Sequence, residues 1–302
     1  MPEGRIVRAL SGYYDVLPDG ADGVSATARG TIRCRARGVF RKDGRVPLVG
    51  DKVRYAQIGP EEGFIEELMP RTTELTRPPV ANVDTIAVVA SVAEPEPNLT
   101  LTDRLLAEAE LIGTDAFVVL TKVDLAEHEP ETIERLRRIY EKAGYEVLLA
   151  SVVTRSGLDA IAARLAGRLA VLAGPSGVGK SSLLNALCPG LSLEIGEISR
   201  KLGRGRHTTR RVELIALPGG GWAADAPGFS QLDLSHVEPE RLAGAFREFR
   251  RYRSDCRFRG CLHVREPGCA VRAAVERGEI EPVRYRHYEA LVEEIRISGR
   301  RY

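Results

Sequence analysis

Apolar and polar positions alternate in short runs over residues 1–75. Val24–Arg29 and Thr31–Arg37 have a period of two, Pro47-Leu48-Val49-Gly50-Asp51 reads as a turn, and Lys52–Ile58 and Phe64–Leu68 follow as further strands. About five strands in so short a length predict a small all-β barrel, and basic strands suit the compact barrels, the OB-fold foremost, that take nucleic acid. An SH3-like barrel with a solvated charged face fits the periodicity equally.

Past the turn-rich Arg77–Asn82 the pattern changes. Ile86–Val92, Ala116–Leu120, Val147–Ala150, Leu169–Ala173 and Leu214–Leu217 are fully apolar runs, the signature of strands buried on both faces. Thr102–Ile112, Pro130–Ala143 and Leu158–Leu165 between them have helical spacing, so residues 76–232 predict a parallel α/β sheet. From residue 233 to 302 the apolar strands stop, and an arginine-rich helical section carries three cysteines.

Composition narrows the class. A chain of 302 residues with 43% apolar and 28% charged residues is a folded multidomain protein and not a disordered one. No apolar run is long enough to span a bilayer, and residues 1–20 contain no apolar core followed by a small-residue cleavage site, so neither membrane nor export is expected. Five cysteines, an odd number, fit a reducing cytoplasm better than a disulfide framework. The net charge of +2 hides an uneven distribution. Residues 76–237 hold 17 basic against 20 acidic residues, residues 238–302 hold 15 against 11, and seven of the twelve basic residues before position 76 lie between Arg29 and Arg45.

Gly174-Pro175-Ser176-Gly177-Val178-Gly179-Lys180-Ser181 fits G-x4-G-K-[ST], directly after the apolar run Leu169–Ala173 and before the helical Ser182–Leu187. Glycines let the backbone curl until its N–H groups and the helix N-terminus face phosphate oxygens. Lys180 reaches the β and γ phosphates in a binding and catalytic role, and Ser181 offers its hydroxyl to Mg²⁺, with Ser182 beside it. The base is chosen elsewhere, by Thr121-Lys122-Val123-Asp124 at the end of Ala116–Leu120. The Asp124 carboxylate can accept from the N1–H and N2–H₂ of guanine, which adenine cannot supply, and the Lys122 stem can lie across the ring. Ser151, after Val147–Ala150, is a second base contact.

Asp225-Ala226-Pro227-Gly228 has the D-x-x-G form, in which Asp225 holds a Mg²⁺ water and the Gly228 N–H senses the γ-phosphate. Between it and the phosphate loop lies Gly203–Arg210, a Gly/Arg segment carrying Thr208 and Thr209. It is the natural switch to close on Mg²⁺ through a hydroxyl. Spacing does not choose between the threonines, and Thr209 is preferred because it precedes Arg210-Arg211, as in related T-T-R switches. In an ordinary Ras-like GTPase the phosphate loop comes first, whereas here Thr121–Asp124 and Ser151 precede Gly174. The nucleotide domain is circularly permuted, which places the D-x-P-G switch next to the cysteine section.

Cys256, Cys261, His263 and Cys269 supply four soft or borderline ligands within fourteen residues, a set that closes a tetrahedral, structural Zn²⁺ site, one per chain. Cys34 and Cys188 read as buried small residues, and His128, His236 and His287 have no partner pattern.

The order of these motifs resembles the ribosome small subunit-dependent GTPase A family, RsgA or YjeQ, over essentially the full length. The resemblance implies an N-terminal OB-fold barrel with a P-L-V-G-D turn (Pro47–Asp51), a circularly permuted Ras-like P-loop GTPase domain and a C-terminal helical zinc-binding domain. It also implies a bacterial cytoplasmic enzyme that hydrolyses GTP to GDP slowly until stimulated by the 30S subunit, and that acts late in small-subunit maturation on 16S rRNA. A monomer is expected. Two positions depart from the common GTPase pattern: Thr121 stands where most place Asn, and Ser151-Val152 replaces Ser-Ala. Phe229 occupies the place of the water-orienting Gln, so the resemblance assigns catalysis to His207 of the G-R-H-T-T switch, with the ribosome or Gln231 as alternatives. The rival classes are a P-loop ATPase or kinase, against which Asp124 argues, and a non-catalytic RNA-binding switch, against which Lys180, Ser181 and Asp225 argue.

Overall fold

The computed structural model describes residues 1–20, 30–38, 40, 44–76, 78–191, 193, 212–225 and 237–299, with backbone alone at Asp225 and Gly299. The expected strand Val24–Arg29 lies outside the described residues. Two compact units interleave along the chain: residues 1–86, 158–172 and 181–229 form one, and residues 87–157, 173–180 and 230–302 the other.

The first unit begins with strands β1 (Glu3–Leu10), β2 (Tyr13–Pro18), β3 (Ile32–Ala36), β4 (Lys52–Gln57) and β5 (Glu62–Leu68). They pair in the order β1-β2-β3-β5-β4, and β1 pairs back onto β4, which closes a five-stranded barrel with no free edge. Alternation sends Ile6, Val16, Ile32, Cys34, Val53, Tyr55 and Ile65 inward. Register shifts at Ile6/Arg8 and Arg54/Tyr55 bend the two strands that complete the closure.

The P-L-V-G-D turn fastens the barrel to the short hairpin β6 (Glu74–Thr76) and β7 (Pro79–Ala81). Gly50 has φ +92°, and a Cβ there would lie 2.1 Å from the Ala81 carbonyl oxygen, so only glycine fits. Asp51 is fully buried. It accepts from the Leu48 N–H at 2.7 Å and from Arg71 Nε and Nη2, both at 2.8 Å, while Arg71 also donates to the Val46 carbonyl at 2.7 Å. The rest of the unit holds α3 (Leu158–Leu165), β11 (Leu169–Ala173), α4 (Lys180–Leu187), β12 (Glu213–Ala216) and β13 (Trp222–Asp225). Strand β13 pairs parallel with β11 and antiparallel with β12, and β12 meets β1 at Arg8↔Glu213.

In the second unit β8 (Thr85–Ser91), β9 (Asp115–Thr121) and β10 (Val147–Ala150) lie side by side, and β9 and β10 run parallel. They alternate with α1 (Leu99–Ile112) and α2 (Pro130–Lys142), the pattern the apolar runs predict. Asn98 caps α1 by accepting from the Leu101 N–H, and Gly113 ends it in the left-handed conformation.

The C-terminal section adds α5 (Pro239–Ala245), α6 (Ala270–Glu276) and α7 (Pro282–Gly299). Leu242, Phe246, Phe249, Val271, Tyr288 and Leu291 build its core, which Ala107 of α1 joins. Phe249 packs edge-on to Tyr288, with centroids 4.9 Å apart. Within this contact Arg284 is 1% exposed and so is Asp103 of α1. The Arg284 guanidinium donates to the Asp103 carboxylate and, at 3.1 Å, to Glu248, and His287 Nδ1 lies 2.6 Å from the other Asp103 oxygen. Desolvation by burial pulls the Arg284 pKa down, but the Asp103 and Glu248 carboxylates reverse this and leave it raised.

Removing one member of a desolvated network leaves an uncompensated buried charge. Arg284→Ala should therefore cost about 3–5 kcal/mol of stability, read as a lower urea midpoint by circular dichroism. A loss under about 1 kcal/mol would mean that the network gains nothing from its burial.

Candidate nucleotide and metal sites

The carboxyl ends of parallel strands are where α/β sheets bind ligands, because the loops that leave them diverge and helix N-termini point there. In the second unit Ala150 is in register with Thr121, and the Val92 N–H donates to the Thr121 carbonyl at 3.0 Å. The loops after β8, β9 and β10 therefore leave at one level. The phosphate-loop residues Gly174–Lys180 belong to the same unit.

That loop is seated by backbone contact. Gly174 has φ +149°, and a Cβ on it would meet the Val89 carbonyl oxygen at 2.2 Å. Gly177 (φ +84°) and Gly179 (φ +95°) carry the curl through conformations that side chains resist. The Thr121 hydroxyl donates to the Val178 carbonyl at 2.6 Å, which ties the end of β9 to the phosphate loop. Thr121 thus supplies its own brace, although it lacks the amide of the more common Asn. Lys180 Nζ donates to the Gly174 and Pro175 carbonyls at 2.8 and 2.7 Å, folded back along the loop. Ser176 is exposed, and Ser181 and Ser182 open α4.

The other residues of the T-K-x-D motif follow from Thr121. Lys122 has φ +60°, and its ammonium donates to the Glu94 carbonyl. Pro95, next to Glu94, lies 3.6 Å from where a Gly177 Cβ would be. The segment between β8 and α1 therefore meets the Lys122 ammonium and lies beside the phosphate loop. Asp124 sits partly buried in the first turn of a 3₁₀ helix, Val123–Ala126. Ser151 is fully buried, and its hydroxyl accepts from the Thr154 N–H at 3.1 Å. The turn that holds it is closed by Gly157 (φ +73°), where a Cβ would lie 1.8 Å from the Leu149 carbonyl oxygen. Asp225 ends β13, with its side chain outside the described residues. His207, Thr208, Thr209, Gly228, Phe229 and Gln231 also lie outside the described residues.

The second site is a knuckle in the C-terminal section. The donor atoms of Cys256, Cys261, His263 and Cys269 all lie within 4.8 Å of one another, a group that can hold one metal ion. His263 Nδ1 is 3.5 Å from Cys256 Sγ and 3.4 Å from Cys269 Sγ, and those two sulfurs are 4.0 Å apart. Metal–ligand bonds of ~2.3 Å to sulfur and ~2.0 Å to nitrogen in a tetrahedron require separations of about 3.8 and 3.5 Å, so the residues fit. Burial pushes the Cys261 thiol up to about 12 and holds the His263 imidazole below its usual value. A cation reverses the disfavoured charge of clustered thiolates.

Outer contacts hold the knuckle in shape. Glu266 accepts from the Leu262, Val264 and Arg265 N–H groups at 3.2, 3.0 and 3.0 Å, and Tyr285 donates to the His263 carbonyl at 2.7 Å. Sequence spacing finds the four candidate ligands but not these supports, since a lone glutamate and a distant tyrosine carry no pattern. Cys34 and Cys188 are buried and free, as their isolation in the sequence suggests. His287, without a pattern in the sequence, turns out to bond Asp103.

Comparison with known proteins agrees with this arrangement. Residues 68–235 match the RsgA GTPase family model and residues 3–65 the RsgA N-terminal domain model. The chain is 49% identical to the small ribosomal subunit biogenesis GTPase RsgA of Geobacillus thermodenitrificans, over 100% of both chains. It is 47% identical to the protein of that name from Moorella thermoacetica, over 97% of each. Among solved structures, YjeQ from Thermotoga maritima superposes with a TM-score of 0.84 at 34% identity, covering 97% of this chain and 98% of that one. YloQ, described as a circularly permuted GTPase, superposes with a TM-score of 0.80 at 39% identity, covering 100% and 97%. With the family model over more than half its length and relatives matched end to end, this chain belongs to the RsgA family of GTPases.

Proposed function

We propose that the protein hydrolyses GTP to GDP and phosphate, that the 30S subunit stimulates this turnover, and that it acts in late maturation of the small subunit in the cytoplasm, as a monomer. The observation that carries the reading is the tie between the T-K-x-D strand end and the phosphate loop, through Thr121 and Val178, in a chain whose relatives are named small ribosomal subunit biogenesis GTPases. The division of labour follows the three sections: residues 1–75 face RNA, residues 76–232 bind and hydrolyse nucleotide, and residues 233–302 hold zinc.

Asp124 reads the guanine edge, Lys122 covers the ring, and Ser151 holds the turn against the base. Gly174–Ser182 bind the phosphates, Thr208 and Gly228 face the γ-phosphate, and Lys180 leaves the Gly174 and Pro175 carbonyls for the β and γ oxygens. Its charge then stabilises the transition state. Ser181, Thr209 and Asp225 offer the all-oxygen set that suits Mg²⁺, which when bound neutralises charge on the β and γ phosphates. His207 orients or accepts from the attacking water, because Phe229 cannot. If the 30S subunit completes the catalytic geometry around that water, the free enzyme is slow. By linkage, if GTP favours the ribosome-competent state, the ribosome favours the GTP-bound form.

GTP turnover with and without purified 30S subunits tests the reading. Stimulation is expected, and His207→Ala should keep GTP and 30S binding while losing about 10²-fold or more of the stimulated rate. An unstimulated parent would refute the function, and full stimulated turnover in His207→Ala would move the water to Gln231 or ribosomal groups.

Cys256, Cys261, His263 and Cys269 bind the single zinc in this reading. Structural zinc contributes roughly 10–16 kcal/mol of apparent binding energy that is also folding energy, so chelation should loosen the last section and leave nucleotide binding in place. Metal analysis of protein purified without chelator should find one zinc per chain, and finding none would contradict the assignment.

A further inference from the structure

Three side chains line up on the outside of the barrel. Tyr13 on β2 is in register with Arg35 on β3, and Arg35 with Phe64 on β5. Residues in register on adjacent strands share a face. The neighbouring register pair, Cys34 and Gly63, faces inward, where a Cβ on Gly63 would meet Cys34 Sγ at 3.1 Å. The outer row is therefore open: Tyr13 is 37% and Phe64 36% exposed, and Arg35 is exposed between them.

The row has an ordered centre. The Arg35 guanidinium lies 4.8 Å from the Tyr13 ring centroid and donates to its hydroxyl. The arginines on either side are tied to carboxylates, Arg33 to Asp15 at 3.5 Å and Arg37 to Glu66 at 2.6 Å. Among the described residues Arg35 has no carboxylate partner. An unneutralised cation is thus held over the Tyr13 ring, with Phe64 in register on its other side, on the strand at the centre of the basic run from Arg29 to Arg45.

This chemistry selects its ligand. Charged Arg33, Glu62 and Glu66 border the row and interrupt any broad apolar patch of the kind a protein partner would bury. Planar groups on a polyanionic chain match it, because bases stack on aromatic and guanidinium planes while their phosphates meet the positive charge. In a duplex those faces are already covered. We propose that Tyr13, Arg35 and Phe64 form a stacking platform for unpaired RNA bases, an inference that rests on the reading that the barrel faces ribosomal RNA.

Fluorescence anisotropy of the full chain with a labelled oligouridylate and with an RNA duplex, across a salt series, tests it. Phe64→Ala should weaken single-strand binding about tenfold without changing the slope of log affinity against log salt, and Phe64→Trp should restore it. Arg35→Ala should weaken binding and make the slope shallower by about 0.7. Melting curves check that each variant is folded, as expected for exposed positions. Single-strand affinities of Phe64→Ala and Tyr13→Ala within about twofold of the parent would overturn the platform, as would an equal fall in duplex binding. Loss of 30S binding with single-strand binding intact would also overturn it and assign the row to a protein surface. A parent that 30S subunits do not stimulate, yet whose RNA binding responds to Phe64→Ala, would count against the functional reading and leave the platform standing.

Discussion

Everything at the nucleotide site depends on how closely the phosphate loop lies against the strand ends. The Gly174 backbone packs so near the Val89 carbonyl that no side chain fits, and the Thr121 hydroxyl holds the Val178 carbonyl from the next strand. Circular permutation makes this constraint more demanding. The strand that ends in Thr121–Asp124 comes before the phosphate loop in the chain, so noncovalent contacts must set the distance between the two. Glycine at 174 removes the steric barrier, and one short hydrogen bond fixes the register.

The same strand ends lead into the C-terminal section. The Glu94 carbonyl takes the Lys122 ammonium, Pro95 lies beside the phosphate loop, Asn98 caps α1, and five residues later Asp103 takes Arg284. Arg247 and Arg250 grip Glu110 near the other end of α1, and Arg247 stacks on Tyr145 with 4.1 Å to the ring centroid. The buried Arg284 network contributes little net stability over an apolar contact but leaves an unpaired buried charge in any packing that separates its members, so it favours one seating of the section on α1. Arg247, Arg250 and Arg284 are therefore structural, and the section's basic composition overstates the charge left for a partner.

The sequence is most legible where one period rules. Fully apolar runs mark β8, β9 and β11 because both faces are buried, whereas the edge strand β10 carries the same run only half-buried, and the Cys3His cluster is legible because its spacing is itself the geometry. Strand β1 is harder to read: the register shift at Ile6/Arg8 breaks its alternation, and its burial follows three partners instead of two faces. Burial of Arg284 and exposure of Phe64 reverse the usual expectation for each residue type, and nothing local announces either. Thr121 is similar, since a threonine at the end of a strand is ordinary and its hydrogen bond crosses 57 residues of sequence.

The central claim is that Thr121–Asp124 reads guanine beside a phosphate loop that follows it in the chain, and base specificity tests it most directly. Asp124→Asn exchanges an acceptor pair for an amide that suits xanthine better. Competition of GTP, XTP and ATP for a fluorescent guanine nucleotide on the parent, and for a fluorescent xanthine nucleotide on the variant, reads the change. The account predicts that the parent prefers GTP over ATP and that the variant loses GTP affinity while gaining XTP affinity. Unchanged GTP binding in Asp124→Asn, or ATP displacing guanine nucleotide from the parent as well as GTP does, would contradict it.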